Sequence, residues 1–447
     1  MKNPTVYFVH CIDTEGPLHE PLSATFERLE EMFGINIEAT KENLNKLQND
    51  QIKIPNSKIS TSDVFSEDLL DYNDTWDKID DMLSESLSSE YRNLQKDSFG
   101  GGWIYNWFCM DHVGFEDNPR RRDLGINKIY DHYVDKLRQH NSHQDGVYFH
   151  FHPIPFTKEA HHPATHFFSH SPEIYRTLSR KIIDRKYFPC VFRPGFHSTR
   201  PDSHWFLEQF IPFEFANQAT KHNSSESFND LKGGRFGDWR RAPKTWEPYH
   251  PSHDDYQSKG KCRRWIARSL NLGTRSRIMT VDDVRDAFNE AQEGKPVILS
   301  FNDHDFRDIR PDVDDARLMI SAVASEFPNV NFKFSDAREA FRSALSLTKR
   351  DKLKFKVYFS SNTMHVRSNH EIFGPQPFFC IKSIDGEYFH DNFDFQEQFR
   401  SWSYTFDSIT FPIEKLENIA FASNDDYGNT TVVHVDPRDL SKKEYYI

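Results

Sequence analysis

Val6-Tyr7-Phe8-Val9-His10-Cys11-Ile12-Asp13-Thr14-Glu15-Gly16-Pro17 decides how the chain is read. An apolar, β-rich run from Val6 to Ile12 delivers two carboxylates, Asp13 and Glu15, and then stops at Gly16-Pro17. Residues two apart on an extended backbone point the same way, so both acids can reach one pocket at the rim of a sheet. The plainer reading is a strand that ends in a solvated turn. What weighs against it is that other apolar runs also end in His or Arg.

Working outward, Gly100-Gly101-Gly102 precedes a second buried strand from Trp103 to Met110, which ends at Asp111-His112. Asn118-Pro119-Arg120-Arg121-Arg122 follows, a solvated face or a place for an anionic group on a substrate. A third strand, Gly146 to Phe151, ends in His150, His152 and Pro153, and a histidine-dense loop from His161 to His170 comes after it. A fourth, Tyr187 to Phe192, runs into Arg193-Pro194-Gly195-Phe196-His197. Ile211 to Phe215 is another strand, and Pro296 to Phe301 ends in Asn302-Asp303-His304-Asp305. Residues between Phe215 and Val281 read as a long irregular region.

Helical spacing recurs between these strands, at Phe26 to Met32, Ala39 to Leu47, Ile126 to Arg138, Ser171 to Lys186, Val281 to Gln292, Val313 to Phe327 and Ala337 to Leu347. The βαβα rhythm predicts a parallel α/β sheet or barrel, in which chemistry gathers at the C-terminal ends of the strands. Residues 48 to about 98, acidic and rich in Ser and Asp, read as an insertion of surface helices with a solvated charged face.

After Lys349-Arg350-Asp351-Lys352 the character changes. Residues 353–447 alternate apolar and polar with recurring turns, which predicts a small C-terminal all-β domain with no catalytic constellation. Sugar binding through its aromatics, covering an edge of the main domain and a homodimer interface are its three open uses.

Composition bounds the function. A chain of 447 residues exceeds one ordinary core. A net charge of -12 and a pI near 6.0 argue against nucleic-acid binding, which calls for a basic face. No apolar run has the length of a membrane span. Met1-Lys2-Asn3-Pro4 leads directly into the first strand, and the five cysteines are scattered, so a soluble cytoplasmic protein with free thiols is expected.

A hydrolytic metal site needs three hard or borderline ligands and an open position for water. One carboxylate and two His supply that set, a second carboxylate can take a proton from water, a further His can protonate a leaving group, and an Arg can hold the base ionised. Each has a candidate among the strand ends. With 22 His in the chain, His-x-His alone is a weak signal.

Together C-I-D-T-E-G, H-F-H-P, V-F-R-P-G-F-H and L-S-F-N-D-H resemble the motifs of NodB-type polysaccharide deacetylases, carbohydrate esterase family four. The resemblance is to the branch found in lipopolysaccharide and O-antigen biosynthesis, and covers roughly residues 4 to 345. It implies a distorted (β/α)7 barrel over residues 1–348, interrupted by the helical insertion, and a divalent metal, usually zinc. It also implies hydrolysis of N- or O-acyl groups on a sugar, nucleotide-sugar or lipid-linked glycan.

By the same resemblance Asp13 is the catalytic base, Glu15 a metal ligand, and His150 and His152 the metal histidines. Arg193 steadies the base, His304 is the general acid, Asp238 supports that His, and Phe196 and Trp239 contact substrate. The family's metal histidines stand four apart, not two, so His166 and His170 are an alternative pair. Glu15 replaces an Asp, which leaves open which of Asp13 and Glu15 meets the metal. A non-catalytic glycan- or partner-binding barrel and a metal-dependent amidase on a non-sugar substrate are the other readings.

Overall fold

The computed structural model describes residues 3–55, 60–155, 158, 172–222 and 237–447. Seven parallel strands, β1 (Thr5–Thr14), β2 (Tyr105–Met110), β3 (Gly146–Phe151), β4 (Val191–Pro194), β5 (Phe213–Asn217), β6 (Trp265–Asn271) and β7 (Val297–His304), stand in chain order. β1 pairs with both β7 and β2, so the sheet closes into a barrel. An eighth strand, β8 (Asn331–Phe334), lies parallel to β1 along Thr5–Phe8 only.

The register aligns what the site needs. Asp13 pairs with His304 across β1 and β7, and His150 pairs with Arg193 across β3 and β4. Alternation along each strand sets which residues face inward. Val9 and Cys11, Tyr148, Val191 and Ile298 belong to one buried cluster that draws on every barrel strand. Two-residue steps from those positions lead to Asp13 and Glu15, to His150 and His152, to Arg193 and to His304.

Six helices fill the β1–β2 connection: α1 (Leu22–Phe33), α2 (Lys41–Gln48), α3 (Thr61–Phe65), α4 (Glu67–Leu70), α5 (Trp76–Ser86) and α6 (Ser89–Arg92). Later connections carry α7 (Lys128–Gln139), α8 (Glu173–Arg185), α9 (Pro201–Phe210), α10 (Val281–Gln292), α11 (Arg310–Glu326) and α12 (Ala337–Ala344). Ala337, Ala340 and Phe341 of α12 pack into the cluster of inward-facing strand residues.

Two expectations need correction. The acidic insertion is not merely a surface appendage: α5 buries Ile79, Met82 and Leu83 against the barrel, and Phe26, Leu29, Leu47, Val64 and Phe65 form a cluster of their own. The region between Phe215 and Val281 is not irregular throughout, since it contains β6. Arg264 and Arg268 disguise that strand in the sequence; both are buried, paired with Glu214 and Asp283 at 2.9 Å each.

Nine strands form the C-terminal unit: β9 (Phe355–Ser360), β10 (Thr363–Ser368), β11 (Phe378–Ser383), β12 (Tyr388–Asp391), β13 (Asp394–Glu397), β14 (Ser401–Thr405), β15 (Leu416–Asn424), β16 (Thr430–Asp436) and β17 (Asp439–Tyr446). They make two antiparallel sheets, ordered β13-β14-β10-β9 and β12-β11-β15-β16-β17. Phe379, Ile381, Trp402 and Phe421 lie in the core they share. The other face of the larger sheet, with Phe378, Cys380, Ala420 and Ala422, packs on Leu178 and Ile182 of α8 and Phe206 and Phe210 of α9. β11 is therefore apolar on both faces, which is why Phe378-Phe379-Cys380-Ile381 is an unbroken run. All five cysteines are free thiols. Among the described residues no helix is long and apolar enough to cross a membrane.

Candidate metal centre and its cleft

Glu15 leaves the end of β1 with two partners on opposite sides. Its Oε2 accepts from Arg122 Nη2 at 2.6 Å, and its Oε1 lies 3.3 Å from His152 Nε2 and 3.8 Å from His150 Nε2. The two imidazole nitrogens are 2.9 Å apart. His150 Nδ1 donates to the Arg193 carbonyl at 2.9 Å, which leaves its Nε2 as a lone pair facing the others. A carboxylate and imidazole lone pairs turned on one point repel unless a cation or proton lies between them. The ligand atoms of Glu15, His150 and His152 all fall within 4.8 Å of one another, and all three residues are buried.

This donor set fits a divalent ion. One carboxylate and two imidazoles are borderline ligands that leave a coordination position open. Burial opposes ionisation of Glu15, yet Arg122 and His152 outweigh it and hold the carboxyl well below its ordinary range. The same balance lowers Asp13: burial raises it, and its neighbours, Arg193 first among them, more than offset that.

Asp13 stands beside the triad. Arg193, fully buried, donates through Nε to Asp13 Oδ1, and His304 Nε2 lies 3.7 Å from Asp13 Oδ2. Arg193 also donates to the Phe215 carbonyl at 3.1 Å and touches the His197 ring at 3.2 Å. Burial, assisted by Arg307 and Arg193, lowers His304 to about 3 despite Asp13 and Glu15. The ring is therefore neutral in the resting site.

Local backbone holds these groups in place. Phe196 and His197 follow β4 with φ of 52° and 49°, an uncommon conformation for residues with side chains, adopted where the surrounding packing enforces it. The Phe196 ring sits 4.8 Å from that of His152, and a Cβ on Gly195 would overlap the His152 ring. Asp305 accepts the Glu15 N–H, and His112 Nε2 donates to the Glu15 carbonyl at 2.8 Å.

Beside the triad lies a cavity of about 160 Å³, lined by Asp13, Glu15, His152, Phe196, His197 and His304. Arg28, Tyr72, Arg120, Arg275 and Arg307 line the same cavity. Asp13, Glu15, His150, His152, Arg193, Phe196 and His304 thus converge as the strand ends predict. Asp238 does not: its carboxylate is bound by Arg240 at 2.9 Å, and the acid facing His304 is Asp13. Trp239 is no substrate wall; it is buried, donates from Nε1 to the His197 carbonyl at 2.8 Å and packs on Tyr256. His166 and His170 lie outside the described residues.

Of the triple Arg, Arg122 serves Glu15 and Arg120 lines the cavity. Asp111, which ends β2, pairs with Lys181 at 2.7 Å. Asp305 and the arginines that line the cavity escape a reading by strand ends. Only the D-H-D spacing around His304 hinted at Asp305, because every second residue there faces the same way.

No protein-family model matches the chain, and no curated protein does. A solved structure from Bacteroides thetaiotaomicron, described as "putative alpha-L-fucosidase", is similar at 10% identity with a TM-score of 0.28, over 90% of this chain and 89% of that one. A likeness that slight bears on neither fold nor chemistry.

Proposed function

We propose that the protein is a metal-dependent hydrolase that removes an N- or O-acyl group, acetyl in the simplest case, from a sugar. One observation carries the reading: Glu15, His150 and His152 converge beside an Asp13 that is held by Arg193 and faces His304, with Asp13, Glu15, His152 and His304 lining one cavity. These are the roles that the resemblance to polysaccharide deacetylases assigns to the same residues.

A divalent ion, zinc by its donor set, would be held by Glu15, His150 and His152, where it would polarise an acyl carbonyl and acidify a water. Asp13, kept ionised by Arg193, takes the proton of that water as its oxygen adds to the acyl carbon. Asp13 passes that proton to the His304 ring, 3.7 Å away, and the imidazolium so formed gives it to the departing nitrogen or oxygen as the acyl bond breaks, so the cycle closes with one water consumed. Phe196 offers an apolar face beside His152 on which a sugar ring can stack. A role in surface-polysaccharide biosynthesis within the cytoplasm accords with this chemistry.

The test is elemental analysis of the purified chain together with acetate release from a panel of acetylated sugars. Wild type should carry about one zinc-like ion per chain and release acetate. His150→Ala should lose both; His304→Ala should keep the ion and lose the activity. Metal retained in His150→Ala, or a metal-loaded wild type inert on every acylated sugar, would overturn it.

A further inference from the structure

The arginine-lined wall of the cavity is more basic than an acyl-transfer site on a neutral sugar requires. Arg28, Arg120, Arg275 and Arg307 all line it. One carboxylate, Glu20, serves two of them, at 2.6 Å from Arg28 Nη2 and 3.0 Å from Arg120 Nε. Arg275 donates to the Val64 and Leu69 carbonyls at 2.7 and 3.2 Å and bonds Tyr72, and the acid that feels its charge is the same Glu20. Arg307 faces the buried Asp303 and Asp312, whose carboxyls are hydrogen-bonded to each other and pushed up by burial.

Four guanidinium groups face Glu20 and that hydrogen-bonded pair, so the cations outnumber the acids that serve them. The excess is not dissipated in water. Arg120 and Arg307 are only 5% and 6% exposed, and among the described residues Arg120 Nη1 and Arg307 Nε find no acceptor. Buried guanidinium groups short of acceptors are costly, and an oxyanion in the cavity they line supplies acceptors. The Tyr72 phenol reports the same field: burial alone would raise it, but Arg28 and Arg275, with Arg307 beyond, bring it down to about 8.

We propose that this wall binds a phosphoryl dianion of the substrate, so that the molecule hydrolysed is a sugar carrying phosphate, as a monoester or within a diphosphate linkage, and not a neutral glycan. This rests on the hydrolase reading, because the anion belongs to the molecule whose acyl group meets Asp13. Guanidinium groups match phosphate oxygens by paired N–H donors, and a phosphoryl group offers four of them more charge and more oxygens than a lone sugar carboxylate does. Phe196 lines the same cavity, so a sugar and its phosphate can be held there together.

The experiment is calorimetric titration of the full chain, stripped of metal by chelator, with glucose 1-phosphate, UDP-glucose, glucuronate and glucose. Either phosphorylated probe should bind saturably and about tenfold or more tighter than glucuronate, with glucose silent. A monoester source is indicated where glucose 1-phosphate binds the tighter of the two, a diphosphate source where UDP-glucose does. Arg307→Gln and Arg275→Gln should each weaken binding about tenfold, with Arg307→Lys in between because it keeps charge and loses the fork. Should a Gln variant fail to fold by circular dichroism, the Lys variant and the loss of wild-type affinity with rising salt carry the test. No saturable phosphate binding, equal binding of glucuronate, or folded variants with wild-type affinity would overturn the proposal. Since the titration is metal-free, a chain that binds sugar phosphate but takes up no metal would sink the hydrolase reading alone.

Discussion

Asp305 holds Glu15 by its backbone: one carboxylate oxygen accepts the Glu15 N–H at 2.8 Å, and the other accepts the Gly16 N–H at 2.9 Å. Gly16 turns there at φ 70°, and Tyr133 adds an O–H at 2.8 Å. Asp305 thus fixes where a ligand begins without being one. Asp305→Ala should weaken metal binding about 10–100-fold while all three ligands remain. Competition with a chromophoric chelator reads this directly, and unchanged affinity would mean that β1 alone places Glu15.

Arg193 and Asp13 form a fully buried pair, so removing the cation strands an acid. Arg193→Gln should destabilise the fold by about 3–5 kcal/mol, read as a lower urea midpoint. Asp13 is depressed in the native protein, so its contribution is present above the unfolded carboxyl range near 4 and lost as pH falls through the native value. Without Arg193, the largest of the groups that lower it, burial weighs more heavily on Asp13 and raises it. Acetate release should then fail at a higher pH on the acid side than in wild type, and an unmoved acid limb would refute the pairing as the cause.

Tyr72 gives the basic wall a pH dependence. Its phenol, down near 8, faces Arg28, Arg275 and Arg307, with Glu20 opposing them. Ionisation adds a negative charge to the wall, so affinity for glucose 1-phosphate should fall as pH rises from 7 to 9.5. Tyr72→Phe should flatten that fall. Linkage has the opposite sign for folding: the depressed phenol contributes stability that is complete above pH about 10 and lost as pH falls through about 8.

Phe378 is buried where the β-sandwich meets α8 and α9. Phe378→Ala should cost about 3–5 kcal/mol by urea denaturation. A chain truncated at Leu347 should expose Leu178, Ile182 and Phe210 together and lose soluble yield. A soluble, monomeric truncation would show that the barrel does not depend on this cover.

Where sequence periodicity and burial agree, the fold was legible. β1, β3 and β7 are apolar runs ending in chemistry, and Gly146–Phe151 and Val281–Gln292 match their predicted bounds. β6 was hidden because Arg264 and Arg268 face partners inside the protein, and paired burial of charge leaves no apolar pattern to read. The triad and Asp13 were legible because inward positions repeat every second residue. The basic wall was not: Arg28, Arg120, Arg275 and Arg307 come from four separate connections, and only the closed barrel brings them to one cavity. Asp238 misled because an acid beside Trp-Arg-Arg finds its nearest cation two residues on.

β1 changes neighbours along its length. Thr5 to Phe8 lies against β8, His10 to Thr14 against β2, and β7 accompanies Val6 to Asp13 throughout. The barrel is a sleeve with a gusset let into one cuff: β8 widens the end far from the acids, and the seam is drawn shut only at the end that carries them. Changes near β8 therefore act on how firmly the sleeve holds its shape, whereas a single residue inserted between Val9 and Asp13 would turn base and ligand out of the lumen at one stroke.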